Sequence, residues 1–234
     1  MAVGPPGKLL WAAELPRAAG SVVSLLLAQR QLRAAPRGDG RPVLILPGLV
    51  NGDRSNFVMR GFLQRLGYRA YRWELGRNTG TRAVGPEAER LIARVRAIYD
   101  ETGEKVTLIG VSLGGIMARI VAQRRADLVR EVITVSAPFA GPATATNVWR
   151  AFEFLSGEKI SDAGVLARSA EAAAPLPVPA TAIWSRSDGL VNGLICRDDQ
   201  CRAIEIRSSH MGVQLRPATL LAVADVLAGS PLAM

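Results

Sequence analysis

Gly110-Val111-Ser112-Leu113-Gly114 is the stretch whose residue types and spacing most clearly suit chemistry, and Gly115 extends it. A serine between glycines two residues to either side fits a strained turn from strand to helix, where side chains at the glycine positions would collide with nearby backbone. The chemistry would be attack of the Ser112 hydroxyl on an acyl carbon, which needs a base to take the hydroxyl proton. His210 is the only histidine, in the loop Ser208-Ser209-His210-Met211-Gly212. The loop Ser185-Arg186-Ser187-Asp188-Gly189 offers a carboxylate to accept the Nδ1 proton of His210 and fix its tautomer. Asp162, Asp198 and Asp199 are rival acids. The chain order Ser, acid, His suits a nucleophile on such a turn. An N-cap serine, a turn aspartate before glycine and an ordinary packed histidine would use the same letters. A developing oxyanion needs N–H donors, and the choices are Leu113, directly after the serine, and Leu49 in Pro47-Gly48-Leu49, with Val50 as its neighbour.

These side chains need a frame. Short apolar runs at 42–47, 68–73, 105–110, 131–136, 178–184 and 203–206 read as strands bounded by turn residues. Between them, helical spacing appears at 55–66, at 86–101 with Leu91, Val95 and Ile98 on one face, and at 113–125. A last helix is expected at 216–227. Strand alternating with helix implies an α/β fold, a mostly parallel sheet of about six strands covered by helices on both faces. Residues 138–177 break the rhythm. They are too long for an ordinary connection and read as a small cap insertion carrying Trp149, Phe152 and Phe154, which would line an apolar acyl site; a plain crossover helix with a long loop is the alternative.

The 234 residues, 49% hydrophobic, suit a single domain over 1–234. Of the 29 basic residues only Lys8, Lys105 and Lys159 are lysine, and the arginines are dispersed, so the net charge of +9 does not form a nucleic-acid patch. Residues 1–40 form an N-terminal helical segment with an amphipathic helix at about 18–34. It would pack across the sheet edge or lie on a membrane surface. Glu14, Pro16 and Arg17 interrupt its apolar runs, which suits neither a membrane span nor a secretory signal, so a cytoplasmic location is expected. Cys196 and Cys201 are the only cysteines. A disulfide between them would point to an oxidising compartment, two free thiols explain them equally well, and one histidine is too few for a zinc site.

The segments LILPGL, GRNTG, LIGVSLGGIMAR, WSRSDGLV and SSHMG, spread over residues 40–229, resemble the α/β-hydrolase superfamily and, more narrowly, its bacterial triacylglycerol-lipase-like and esterase-like members. The resemblance implies hydrolysis of an acyl ester or lipid through an acyl-serine intermediate, without a cofactor. An acyltransferase or thioesterase would use the same triad. A non-catalytic binding module of the same fold is argued against by the intact Ser112, Asp188 and His210. Two departures stand out: Pro47-Gly48 replaces the common His-Gly, and an N-terminal helix replaces the first two antiparallel strands, so a trimmed sheet is expected.

Overall fold

The structure is a computed structural model that describes residues 3–229. The apolar runs become β1 (Pro42–Leu46), β2 (Arg69–Tyr71), β3 (Val106–Val111), β4 (Val129–Val135), β5 (Ala180–Trp184) and β6 (Arg202–Glu205). They form one sheet in the order β2-β1-β3-β4-β5-β6. All five pairings are parallel, where the sequence implied a mostly parallel sheet. The chain starts at β1, steps outward to β2, then returns to the other side of β1 and proceeds through β3 to β6. That reversal opens a crevice beyond the carboxyl ends of β1 and β3, where ligands bind in open α/β sheets.

Alternating side chains divide the core. Val43, Ile45, Ile109 and Ile133 face a layer containing α4 (Phe57–Leu66) and the C-terminal helix, while Leu44, Leu46, Leu108 and Val132 face the opposite layer. A short α5 (Thr81–Val84) precedes α6 (Glu89–Thr102), and α7 (Leu113–Arg124) follows β3 directly. Residues 138–177 contain α8 (Trp149–Ser156) and α9 (Ala163–Ala173). The packing divides their roles. The buried Arg119 guanidinium of α7 donates to Ala172 O and, at 2.9 Å, to Ala174 O, tying the end of α9 against α7 as the crossover helix. Helix α8 lies farther out.

The C-terminal helix is α10 (Pro217–Leu227). At the N-terminus the expected single helix is three: α1 (Lys8–Ala12), α2 (Glu14–Leu27) and α3 (Gln29–Arg33). Helices α2 and α3 pack on α10, and α2 also packs on the turn Val213–Leu215 just beyond His210. Leu15, Val22, Leu26 and Leu27 stay exposed on the outward side of α2. Among the described residues no helix is long and apolar enough to cross a membrane.

Candidate active site

Ser112 lies between β3 and α7 with φ 51° and ψ −121°, a left-handed backbone setting that costs a non-glycine residue about 1–3 kcal/mol. Close backbone approach explains its glycine neighbours. A Cβ on Gly110 would sit 2.4 Å from Gly114 O, and one on Gly114 would sit 2.5 Å from Leu46 O and 2.7 Å from Pro47 O. The turn is therefore wedged between β1 and its own helix, with the serine facing the crevice.

The structure brings the three residues singled out from sequence together. Ser112 Oγ is 3.1 Å from His210 Nε2, and His210 Nδ1 is 2.7 Å from Asp188 Oδ2. The Asp188 carboxylate is almost fully buried, and its other oxygen, Oδ1, accepts the N–H groups of Leu190 (2.9 Å) and Val191 (2.8 Å). Those bonds aim Oδ2 at the ring. With Nδ1–H donating to Asp188, Nε2 is left to accept from the serine hydroxyl. Burial opposes a charge on His210, but attraction and hydrogen bonding from Asp188, with a smaller pull from Glu14, outweigh it and raise the pKa above the ordinary 6.5.

The rival acids are elsewhere. Asp162 accepts the Lys159 N–H at the start of α9, Asp198 lies 3.8 Å from the Arg119 guanidinium, and Asp199 is in the turn before β6. Cys196 and Cys201 are free thiols that pack in different clusters, Cys196 with Trp184 and Ile195, Cys201 against Phe139 and Ala182. The alternative of a disulfide between them is not what the structure holds.

Leu49 and Leu113 line the same cavity as Ser112, and among the described residues neither N–H is bonded to another group. Val50 N–H is already donated to Asn78 O at 2.7 Å, so of the two neighbours only Leu49 has a free N–H. Asn78 was not singled out from the sequence. Fully buried, it donates from Nδ2 to Pro47 O (2.7 Å) and accepts the Gly80 N–H on Oδ1 (3.1 Å), holding the β1 loop in place. The only signal was an asparagine between the glycines of GRNTG.

The cavity beside Ser112 measures about 160 Å³ and is walled largely by apolar side chains, among them Ile116, Met117, Val148, Trp149, Phe152 and Val165. Trp149 and Phe152, singled out from the sequence, line this cavity. Phe154 does not: it is 86% exposed. Two residues on from Phe152 is about 200° around the helix, so a helix that turns Phe152 inward turns Phe154 outward.

A second residue missed from sequence is Glu14, read there only as an interruption of an apolar run. It is buried and bonded to the loops of both Asp188 and His210.

Comparison with known proteins agrees with this architecture. A triacylglycerol lipase of Pseudarthrobacter phenanthrenivorans is 33% identical over 107 residues, which cover 43% of this chain and 34% of that protein. One of Burkholderia plantarii is 33% identical over 107 residues, covering 43% of this chain and 30% of that protein. This chain therefore spans about a third of the length of these two relatives. Among solved structures, the mature lipase of Bacillus licheniformis is similar in fold, with a TM-score of 0.61 at 17% identity, covering 82% of this chain and 94% of that one. The Alpha/beta hydrolase family profile matches residues 43–229, from β1 through the end of α10, and the chain belongs to that family.

Proposed function

We propose that the protein is a serine carboxylic-ester hydrolase, an esterase or lipase that works through an acyl-serine intermediate. The observation that carries this reading is the unbroken line from Asp188 through His210 to Ser112, opening on an apolar cavity. Ser112 Oγ attacks the ester carbonyl while His210 Nε2 takes its proton, and Asp188 stabilises the imidazolium that forms. Negative charge develops on the carbonyl oxygen and is met by the Leu49 and Leu113 N–H groups. The imidazolium then gives its proton to the departing alcohol oxygen. Water, deprotonated by the same nitrogen, releases the acid and restores Ser112.

The cavity supports an acyl group as the part bound there. A space near 150 Å³ with apolar walls holds a ring the size of benzene, so about six carbons fit beside the nucleophile. The exposed apolar side chains of α2 support a further element of this reading, contact with a lipid surface.

The test is hydrolysis of p-nitrophenyl esters from about two to sixteen carbons, alongside labelling by a fluorophosphonate probe. The expectation is labelling at Ser112 and a loss of about 10⁴-fold or more in kcat for Ser112→Ala, with the fold intact. Activity of Ser112→Ala within tenfold of the parent, or a labelled residue other than Ser112, would refute the proposal.

A further inference from the structure

One buried carboxylate outside the family-matched segment ties together both loops that serve Ser112. Glu14, in the first turn of α2, is 2% exposed. Its Oε1 accepts the N–H groups of Gly189 (2.7 Å) and His210 (3.0 Å), and its Oε2 accepts that of Met211 (2.8 Å). Gly189 directly follows Asp188, so one side chain grips the backbone beside the acid and the backbone of the base itself.

The surrounding N-terminal segment follows the same path. Arg17 donates to Ser187 O (2.6 Å) and Ser187 Oγ (2.9 Å). Asn147 donates to both Pro6 O and Gly189 O, and Asn192 donates to Gly4 O. The fit at Gly189 is close, since a Cβ there would lie 2.3 Å from Leu10 O and 2.9 Å from Glu14 Oε1. A carboxylate accepting several N–H bonds in a buried setting is a strong, directional tie.

We propose that Glu14 is a positioning residue for the Asp188–His210 pair, and that residues 4–17 form a strap on which the geometry at Ser112 depends. The inference rests on the ester-hydrolase reading for its kinetic consequence but not for its structural one. Glu14 touches no reacting atom. It sets where the imidazole stands, and a misplacement of about 1 Å in such a group costs roughly 10²-fold in rate.

Two variants of the full chain separate position from charge. Glu14→Gln keeps the length, removes the charge and turns an NH2 group toward one of the three backbone donors. Glu14→Asp keeps the charge but withdraws it by one methylene. Both should lose about 10- to 100-fold in kcat on p-nitrophenyl butyrate, with KM changed less than threefold, at a temperature where each remains folded. The charged groups around the imidazole are Asp188 on its own side and Glu14 behind it, with Arg17 and Arg216 farther out. The acid limb of kcat/KM should therefore move to lower pH in Glu14→Gln and stay near the parent's in Glu14→Asp.

An NMR titration of the single histidine reads the same shift without any activity. In the parent, the amides of Gly189, His210 and Met211 should be protected from hydrogen exchange. The proposal is overturned by a kcat within twofold of the parent in both variants, by a loss confined to thermal stability or to KM, or by unprotected amides at those three positions in the parent. If Ser112→Ala retains activity, the ester-hydrolase reading fails. The NMR and exchange measurements still decide whether Glu14 positions the pair.

Discussion

Asp188→Asn tests the hydrogen-bond geometry most directly, because the amide has two orientations and each fails in a definable way. If the Asn oxygen stays on the Leu190 and Val191 N–H groups that Oδ1 accepts now, its NH2 group faces His210 Nδ1. The ring must then carry its proton on Nε2, where it cannot receive the proton of Ser112. If the amide flips, the oxygen meets Nδ1–H correctly, but NH2 faces two backbone donors. Leaving a buried donor unsatisfied costs about 1–3 kcal/mol, so the productive orientation is disfavoured by about 2–6 kcal/mol. At about 1.4 kcal/mol per factor of ten, kcat should fall roughly 30-fold to 10⁴-fold. The upper end is the loss seen for the equivalent change in a triad protease. The pH profile should move too. Asp188 is the main influence raising the His210 pKa against burial, so removing its charge lets burial prevail and shifts the acid limb downward. The assay is kcat/KM against pH on p-nitrophenyl butyrate, with circular dichroism to confirm folding. Activity within tenfold of the parent and an unmoved acid limb would refute the reasoning. Crippling loss on Asp162→Asn, Asp198→Asn or Asp199→Asn instead would relocate the acid.

Trp149→Ala should raise KM for octanoate esters several-fold more than for acetate, because it removes part of the cavity wall, whereas Phe154→Ala should leave both within twofold; a chain-length series on the two variants decides. Gly114→Ala forces a Cβ to 2.5 Å from Leu46 O and should destabilise the fold by about 1–3 kcal/mol, the usual cost of overpacking. At roughly 2–4 °C per kcal/mol for a chain of this size, its Tm should fall by about 2–12 °C in a thermal melt.

What could be read in the sequence depended on whether physics leaves a trace in residue type. The elbow was legible because backbone atoms 2.4–2.7 Å from a hypothetical Cβ admit only glycine, and Gly110 and Gly114 record that. The sheet was legible because β1 and β3 are buried on both faces and read as unbroken apolar runs. Strand ends were less so: the 68–73 run shortens to Arg69–Tyr71 at the sheet edge, where the backbone N–H groups of Trp73 and Glu74 turn away to the Asp53 carboxylate. Phe154 misled because an aromatic in a helix reveals its type but not its phase. The N-terminal breaks at Ala13 and Ala28 also leave no trace, as alanine is the best helix former and signals continuation.

The hidden part of the site has a common physical cause. Ser112 sits after β3, flanked by β1 and β4, so the sheet itself braces it and close packing does the rest. Asp188 and His210 follow β5 and β6, and β6 is an edge strand of four residues with no neighbour beyond it among the described residues. Their loops must be held by something other than the ladder. Ser185 Oγ meets this in part by donating to Ser208 O (2.9 Å) and accepting the Ser208 N–H (3.0 Å), which joins the acid loop to the base loop. Glu14 and Arg17 supply the rest from 170 or more residues away in the chain. Such ties end on backbone N–H and C=O groups, which every residue type possesses, so the partner leaves no letter to find. The proposed nucleophile, braced by packing, is therefore recognisable from five residues, while the proposed acid and base depend on contacts that only the folded chain reveals.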